Sequence, residues 1–176
     1  MRVMGIDPGT VTSGYGVVER GGRGVLCLGH GIVTTSSKNP FPERLKKIYD
    51  GLHEALDKFR PDAISVETQF FAKNVETAMK LGQARGVAIL AAMNFGIPVF
   101  EYSPSEIKLS VVGYGAAEKE QVLQMVRALL NLHDLPKSHD ASDALAAAIC
   151  HIHSSKLNSA LKTLAAAPAP RSRVIR

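Results

Sequence analysis

Asp140 and Asp143 stand three residues apart in the run Ser138-His139-Asp140-Ala141-Ser142-Asp143, at the start of a stretch, residues 141–153, with the composition of a helix. On a helix that spacing puts both carboxylates on one face, with Cβ atoms roughly 5–6 Å apart. Like charges so placed repel unless the positive end of the helix or a cation offsets them. Two more acids close short apolar runs of strand type: Asp7 follows residues 2–6, and Glu67 follows residues 63–66. Four carboxylates with no cysteine or paired histidine beside them suit a hard cation, Mg²⁺ with Mn²⁺ as substitute, rather than zinc. Two such ions roughly 3.5–4 Å apart can activate a water for in-line attack on phosphorus and stabilise the leaving oxygen. The expected chemistry is therefore phosphodiester hydrolysis, with Asp7 bridging the ions and Glu67, Asp140 and Asp143 flanking them.

Taken singly, each acid has a plainer reading. Asp140 serves as a helix N-cap and Asp143 as a first-turn acid; Asp7 belongs to an Asp-Pro-Gly turn; Glu67 caps a strand or makes a surface ion pair. What joins them is position, since all four fall at element ends that could converge at one edge of a sheet.

The elements that must position them follow from the hydrophobic pattern. Residues 2–6 and 14–19, joined by the turn at Asp7-Pro8-Gly9-Thr10, predict a hairpin, and residues 25–35 a third strand after the glycine-rich turn 21–24. From Pro42 the apolar period becomes 3.6, with Leu45, Ile48, Leu52, Leu56 and Phe59 on one face, and Pro61 ends that helix. A strand over 63–66, a helix over 75–94 stopped by Gly96, a strand over 97–102 and helices over 119–131 and 141–153 complete the pattern. Val111, Val112, Gly113 and Gly115 predict a flexible loop before a helix, which could cradle a phosphate. The fold class expected is α/β: a mixed sheet, an antiparallel meander of three strands plus parallel strands, with helices on both faces. Residues 1–155 form one domain, and residues 156–176, rich in Ala, Pro and Arg, a basic mobile tail.

A chain of 176 residues with 45% hydrophobic content can bury one sizeable core. Its formal charge of +5 favours a polyanionic partner without proving one. The start MRVMGIDPGT is neither a secretory nor a transit sequence, and no run approaches the roughly 20 apolar residues that span a bilayer, so no membrane association and a cytoplasmic location are expected. Cys27 and Cys150 sit apart in apolar runs and are expected as buried free thiols in a reducing compartment.

Five motifs, in order MGIDPGTVTSGYGVV, SVETQFFAKNVETAMKLGQARGVA, YSPSEIK, VVGYGAAEKEQV and SHDASDALAAAICH, together resemble the bacterial RuvC family of Holliday junction resolvases. The resemblance runs from Arg2 to about His153. It implies a ribonuclease H-like fold, a homodimer that binds a four-way DNA junction and makes two symmetric nicks with ligatable ends, and a branch-migration partner of the RuvA and RuvB type. By motif position it implies that Asp7, Glu67, Asp140 and Asp143 are the metal ligands, although some members carry histidine at the position of Asp140, which makes His139 a residue to test.

Phe70 and Phe71 follow Glu67 in an otherwise polar segment, where an aromatic ring can stack on unpaired bases or cover the core edge. The resemblance places the junction-stacking residue at Phe70. Lys73, Lys108 and Lys119 are candidate phosphate contacts, and the resemblance places Lys108 and Lys119 near the scissile phosphate. Gly82 and Gly86, four apart on a long helix, require close packing, either on the helix's own sheet or across a two-fold dimer contact.

Three rivals differ in class. Asp7-Pro8-Gly9-Thr10 with Ser13 and Gly14 resembles the first phosphate loop of actin-like sugar kinases, but those need a second comparable domain for which 176 residues leave no room. A small nuclease acting on RNA precursors would share the acidic cluster without paired cutting. A junction-binding module without catalysis fits the basic charge but not the acidic cluster, which repels phosphate unless cations fill it.

Overall fold

In the computed structural model, strand β1 (Arg2–Asp7) is the centre of a five-stranded sheet. The structure describes residues 1–22, 24–68, 74–134, 136 and 138–166, with side chains as far as Ser155. β1 pairs antiparallel with β2 (Thr12–Gly21), and β2 antiparallel with β3 (Gly24–Thr34), as the meander predicts. On the other side β1 pairs parallel with β4 (Ala63–Glu67), and β4 parallel with β5 (Val99–Tyr102), giving the order β3-β2-β1-β4-β5. The sheet is mixed, with helices on both faces.

Strand alternation divides the core in two. Met4, Ile6, Val17, Ile64 and Val66 pack with Ile48, Leu52 and Leu56 of helix α1 (Phe41–Phe59) and with Ala84, Ala88, Ala91 and Ala92 of α2 (Val75–Asn94). Val3, Val18 and Ala63, of the opposite parity, pack with α3 (Pro104–Val112), α4 (Lys119–Leu130) and α5 (His139–Ala166). α1 starts with proline in its first turn, where the missing N–H costs nothing, and ends at Arg60 in the left-handed region at φ 46°.

Three elements differ from the sequence expectation. Val111 and Val112 belong to no flexible loop: they end α3, a helix the apolar pattern did not reveal. Its signal lay in the cap, since the Ser103 hydroxyl accepts from the Glu106 amide while the Glu106 carboxylate accepts from the Ser103 amide, with Pro104 in the first turn. β5 begins at Val99 rather than at residue 97, because Pro98 has no N–H to give the ladder. α5 continues to Ala166 rather than stopping at residue 153, since no proline or glycine interrupts the chain before Pro168. The expected tail therefore begins in helix, and residues 167–176 lie outside the described residues. Cys150 is buried, Cys27 half-buried, and both are free thiols. Among the described residues no helix is long and apolar enough to cross a membrane.

Candidate active site

Asp7 and Glu67 terminate adjoining parallel strands in register, one position beyond the pair Ile6↔Val66. Asp7 shares the parity of Val3, and Glu67 that of Ala63, so both belong to the face covered by α5. Three glycines, Gly5, Gly14 and Gly16, let α5 lie directly on that face. A Cβ added at Gly5 would stand 1.8 Å from the Ala144 carbonyl oxygen, and one at Gly14 2.1 Å from that of Asp140. Ser65 Oγ fixes the helix from the β4 side by donating to the Ala147 carbonyl at 2.7 Å. Because Asp7 and Gly14 are register partners, the N-terminal turn of α5 is seated beside the Asp7 carboxylate.

Asp140 and Asp143 occupy that turn, where the helix dipole favours anions. Asp140 is inside the helix rather than capping it, and Ser138 Oγ donates to its Oδ2 at 2.9 Å. Lys119, the first residue of α4, places Nζ 3.2 Å from Asp143 Oδ2. Lys108, carried by α3, joins Lys119, Glu67 and Asp143 in lining a cleft of about 170 Å³ whose apolar wall includes Ile107, Val122 and Ala146. The sequence-named Lys108 and Lys119 thus stand beside the acids.

Electrostatics report the crowding. Burial, then the charges of Asp143, Glu67 and Asp140, push the Asp7 carboxyl up to about 7, against the lowering effect of Lys119. Glu67 is raised by burial and by Asp143, with Lys119 and Lys108 opposing. Lys119 is raised in turn, chiefly by Asp143. Among the described residues no three acidic, histidine or cysteine side chains close into a ready-made metal cage. The acids face one another at charge-coupling range instead, and a site that drives a carboxyl to hold its proton near neutrality is one that favours added positive charge.

Phe70, Phe71 and Lys73 lie outside the described residues. His139 is exposed beside Asp140. What the sequence reading missed was the means of assembly: Gly5 and Gly14 under α5, and the helix that carries Lys108. Glycines alternating with core residues in MGID and SGYG were the available signal for a close helix approach.

The family model described as crossover junction endodeoxyribonuclease RuvC matches residues 3–151. This chain belongs to the RuvC family. A RuvC relative from Citrifermentans bemidjiense is 49% identical over 164 residues, covering 93% of this chain and 99% of its own. Thermus thermophilus RuvC, solved in complex with a Holliday junction substrate, is 39% identical, with a TM-score of 0.85 over 90% of this chain and 97% of that one. The yeast mitochondrial Holliday junction resolvase Ydc2 shares the fold, with a TM-score of 0.68 at 16% identity over 92% of this chain and 82% of its own. The architecture is thus the ribonuclease H-like one of RuvC. Membership makes the chain a nuclease of phosphodiester bonds that uses a divalent metal.

Proposed function

We propose that this chain resolves four-way DNA junctions by paired symmetric nicks that leave ligatable ends, in homologous recombination and repair in the cytoplasm. The observation that carries the reading is the convergence of Asp7, Glu67, Asp140 and Asp143 with Lys108 and Lys119 at the carboxyl end of β1 and β4, in a chain 39% identical to a RuvC bound to a junction.

The donor set supports Mg²⁺, with Mn²⁺ as substitute and two ions per site: every ligand offered is a carboxylate oxygen, and the raised Asp7 and Glu67 mark an excess of negative charge. When bound, the ions supply an activated water and a stabilised leaving oxygen. The chain's own contribution is to hold the carboxylates on fixed elements, with Asp7 and Glu67 on strand ends and Asp140 and Asp143 on a helix seated against Gly5 and Gly14. Lys119 and Lys108 offer ammonium groups to the scissile phosphate and its neighbours. By the family resemblance Phe70 stacks at the junction centre, with Phe71 and Lys73 as further DNA contacts.

A homodimer is supported by α2. Val75, Met79, Leu90 and Met93 are more than half exposed on this helix, and among the described residues nothing lies within 4 Å of the Cβ positions of Gly82 and Gly86. The two glycines therefore do not serve packing on their own sheet, and an exposed apolar face of this kind suits a self-complementary two-fold contact. Two active sites related by that axis account for paired cuts. A branch-migration partner of the RuvA and RuvB type follows from the family.

The test is a gel assay with a labelled synthetic four-way junction, the matched linear duplex and a matched RNA hybrid, each with Mg²⁺ or chelator. Symmetric, ligatable nicks in the junction alone, and only with Mg²⁺, are expected. Preference for the RNA hybrid would replace the reading with an RNA-precursor nuclease, and metal-free binding without cutting would replace it with a junction-binding module.

A further inference from the structure

The chain leaving β1 at Asp7 has only residues 8–11 in which to turn and enter β2 at Thr12. The backbone of that turn is tied down almost entirely by side chains. Fully buried Ser13 accepts from the Gly9 amide at 3.2 Å and donates to the Gly9 carbonyl at 2.7 Å. Thr35, buried just beyond β3, gives its amide to the Val11 carbonyl at 2.7 Å and its hydroxyl to the Thr10 carbonyl at 2.6 Å. Arg44, in the first turns of α1, completes the arrangement: Nη2 donates to the same Thr10 carbonyl at 2.5 Å and Nε to Thr35 Oγ1 at 3.2 Å. The face of the Phe41 ring backs the guanidinium at 5.5 Å.

Arg44 has no carboxylate partner among the described residues, and its fork is directed at a loop carbonyl and a hydroxyl. The link to Asp7 is geometric. The Thr10 carbonyl is three residues from Asp7, and three elements, α1, the end of β3 and the turn itself, meet on it.

We propose that Arg44 is a positioning residue for Asp7, holding the turn through the Thr10 carbonyl and Thr35 so that the carboxylate keeps a fixed aim toward the divalent cation. The inference rests on the proposed reading of Asp7 as a metal ligand. It assigns a role in metal affinity to a residue more than thirty positions away in sequence. Lysine is a poor replacement, because its ammonium lacks the rigid planar fork whose two parallel N–H groups meet Thr10 and Thr35 together.

Arg44→Lys, Arg44→Ala and Thr35→Val test it. The first readout is Mn²⁺ binding to the DNA-free protein, followed by loss of the free-ion electron paramagnetic resonance signal. Binding is expected to weaken about 10-fold or more in all three variants, the range found when residues orienting metal ligands are removed. Single-turnover junction cleavage should fall in parallel and recover in part at high Mg²⁺, while junction binding in chelator stays within about twofold. If Arg44→Ala fails to fold, Arg44→Lys and Thr35→Val still decide the matter. Wild-type Mn²⁺ affinity in Arg44→Lys would overturn the proposal. So would weaker junction binding with the salt slope reduced by about one and Mn²⁺ affinity intact, which is the signature of a phosphate contact. Wild-type protein that binds Mn²⁺ but cuts no junction would sink the substrate reading and leave the Mn²⁺ comparison to decide this one; wild-type protein that binds no Mn²⁺ would overturn both.

Discussion

Lys119 Nζ lies 3.2 Å from Asp143 Oδ2, so an ammonium group stands among carboxylates that otherwise repel one another. Its side chain is 77% exposed, which leaves it free to exchange this partner for an incoming phosphate. The pair ties α4 to α5 at the mouth of the cleft and keeps a phosphate-seeking cation beside the acids.

Replacing Lys119 with Met separates these roles. Lys119 is largely exposed while Asp143 is partly buried, so stability should change by less than about 1 kcal/mol. Cleavage should slow by about 10²-fold, because a donor aimed at developing charge is lost. Thermal denaturation beside single-turnover kinetics checks both, and a large loss of stability with an unchanged rate would reverse the assignment.

The raised Asp7 carboxyl has a consequence for stability against pH. In the unfolded chain the group titrates near 3.8, and in the folded chain near 7. The folded state therefore holds this proton more tightly, and the resulting stabilisation is complete below the unfolded value and lost as pH rises through about 7. In chelator, Asp7→Asn should be more stable than wild type at pH 8, by an amount on the order of 2–4 kcal/mol, with the gap narrowing as pH falls and closing only below 3.8, where the carboxyl is protonated in both states. Adding Mg²⁺ at pH 8 should raise the melting temperature of wild type much more than that of Asp7→Asn.

Gly14→Ala tests the seating of α5. The new methyl would meet the Asp140 carbonyl oxygen at 2.1 Å and its carbon at 2.3 Å, and backbone atoms cannot turn aside as a flexible side chain can. A loss of about 3 kcal/mol is expected, at the upper end of overpacking costs, with cleavage reduced beyond what unfolding explains. Gly22→Ala is the control, since among the described residues nothing lies within 4 Å of its Cβ position, and it should be neutral within about 0.5 kcal/mol.

Most of the sheet was legible because strand alternation and the helical period are local signals, and α2 occupies Val75–Asn94 as its pattern predicts. The four carboxylates could be picked out because each ends an element. The hidden features were those in which local pattern is silent. α3 is nine residues long with no strong apolar stripe, and only its Ser103–Glu106 cap marks it. The seat of α5 depends on Gly5 and Gly14 lacking side chains, which no hydrophobic pattern registers. The bond from Arg44 to the Thr10 carbonyl joins residues far apart in sequence, and only the folded chain brings them together.

The α2 face offers a further test. Met79 and Leu90 are 63% and 54% exposed, and changing both to Glu should convert a dimer to a monomer in sedimentation while leaving the fold intact, since neither side chain fills the core. Paired nicking should be lost with the dimer. A double variant that sediments as wild type would move the two-fold contact elsewhere.

The most direct test of the central claim is Asp7→Asn on a synthetic four-way junction, with cleavage in Mg²⁺ and binding in chelator measured on the same preparation. Cleavage should vanish while binding remains within a few-fold of wild type, because a neutral amide holds the cation poorly but the basic surface persists. Cleavage at the wild-type rate would contradict the carboxylate site outright.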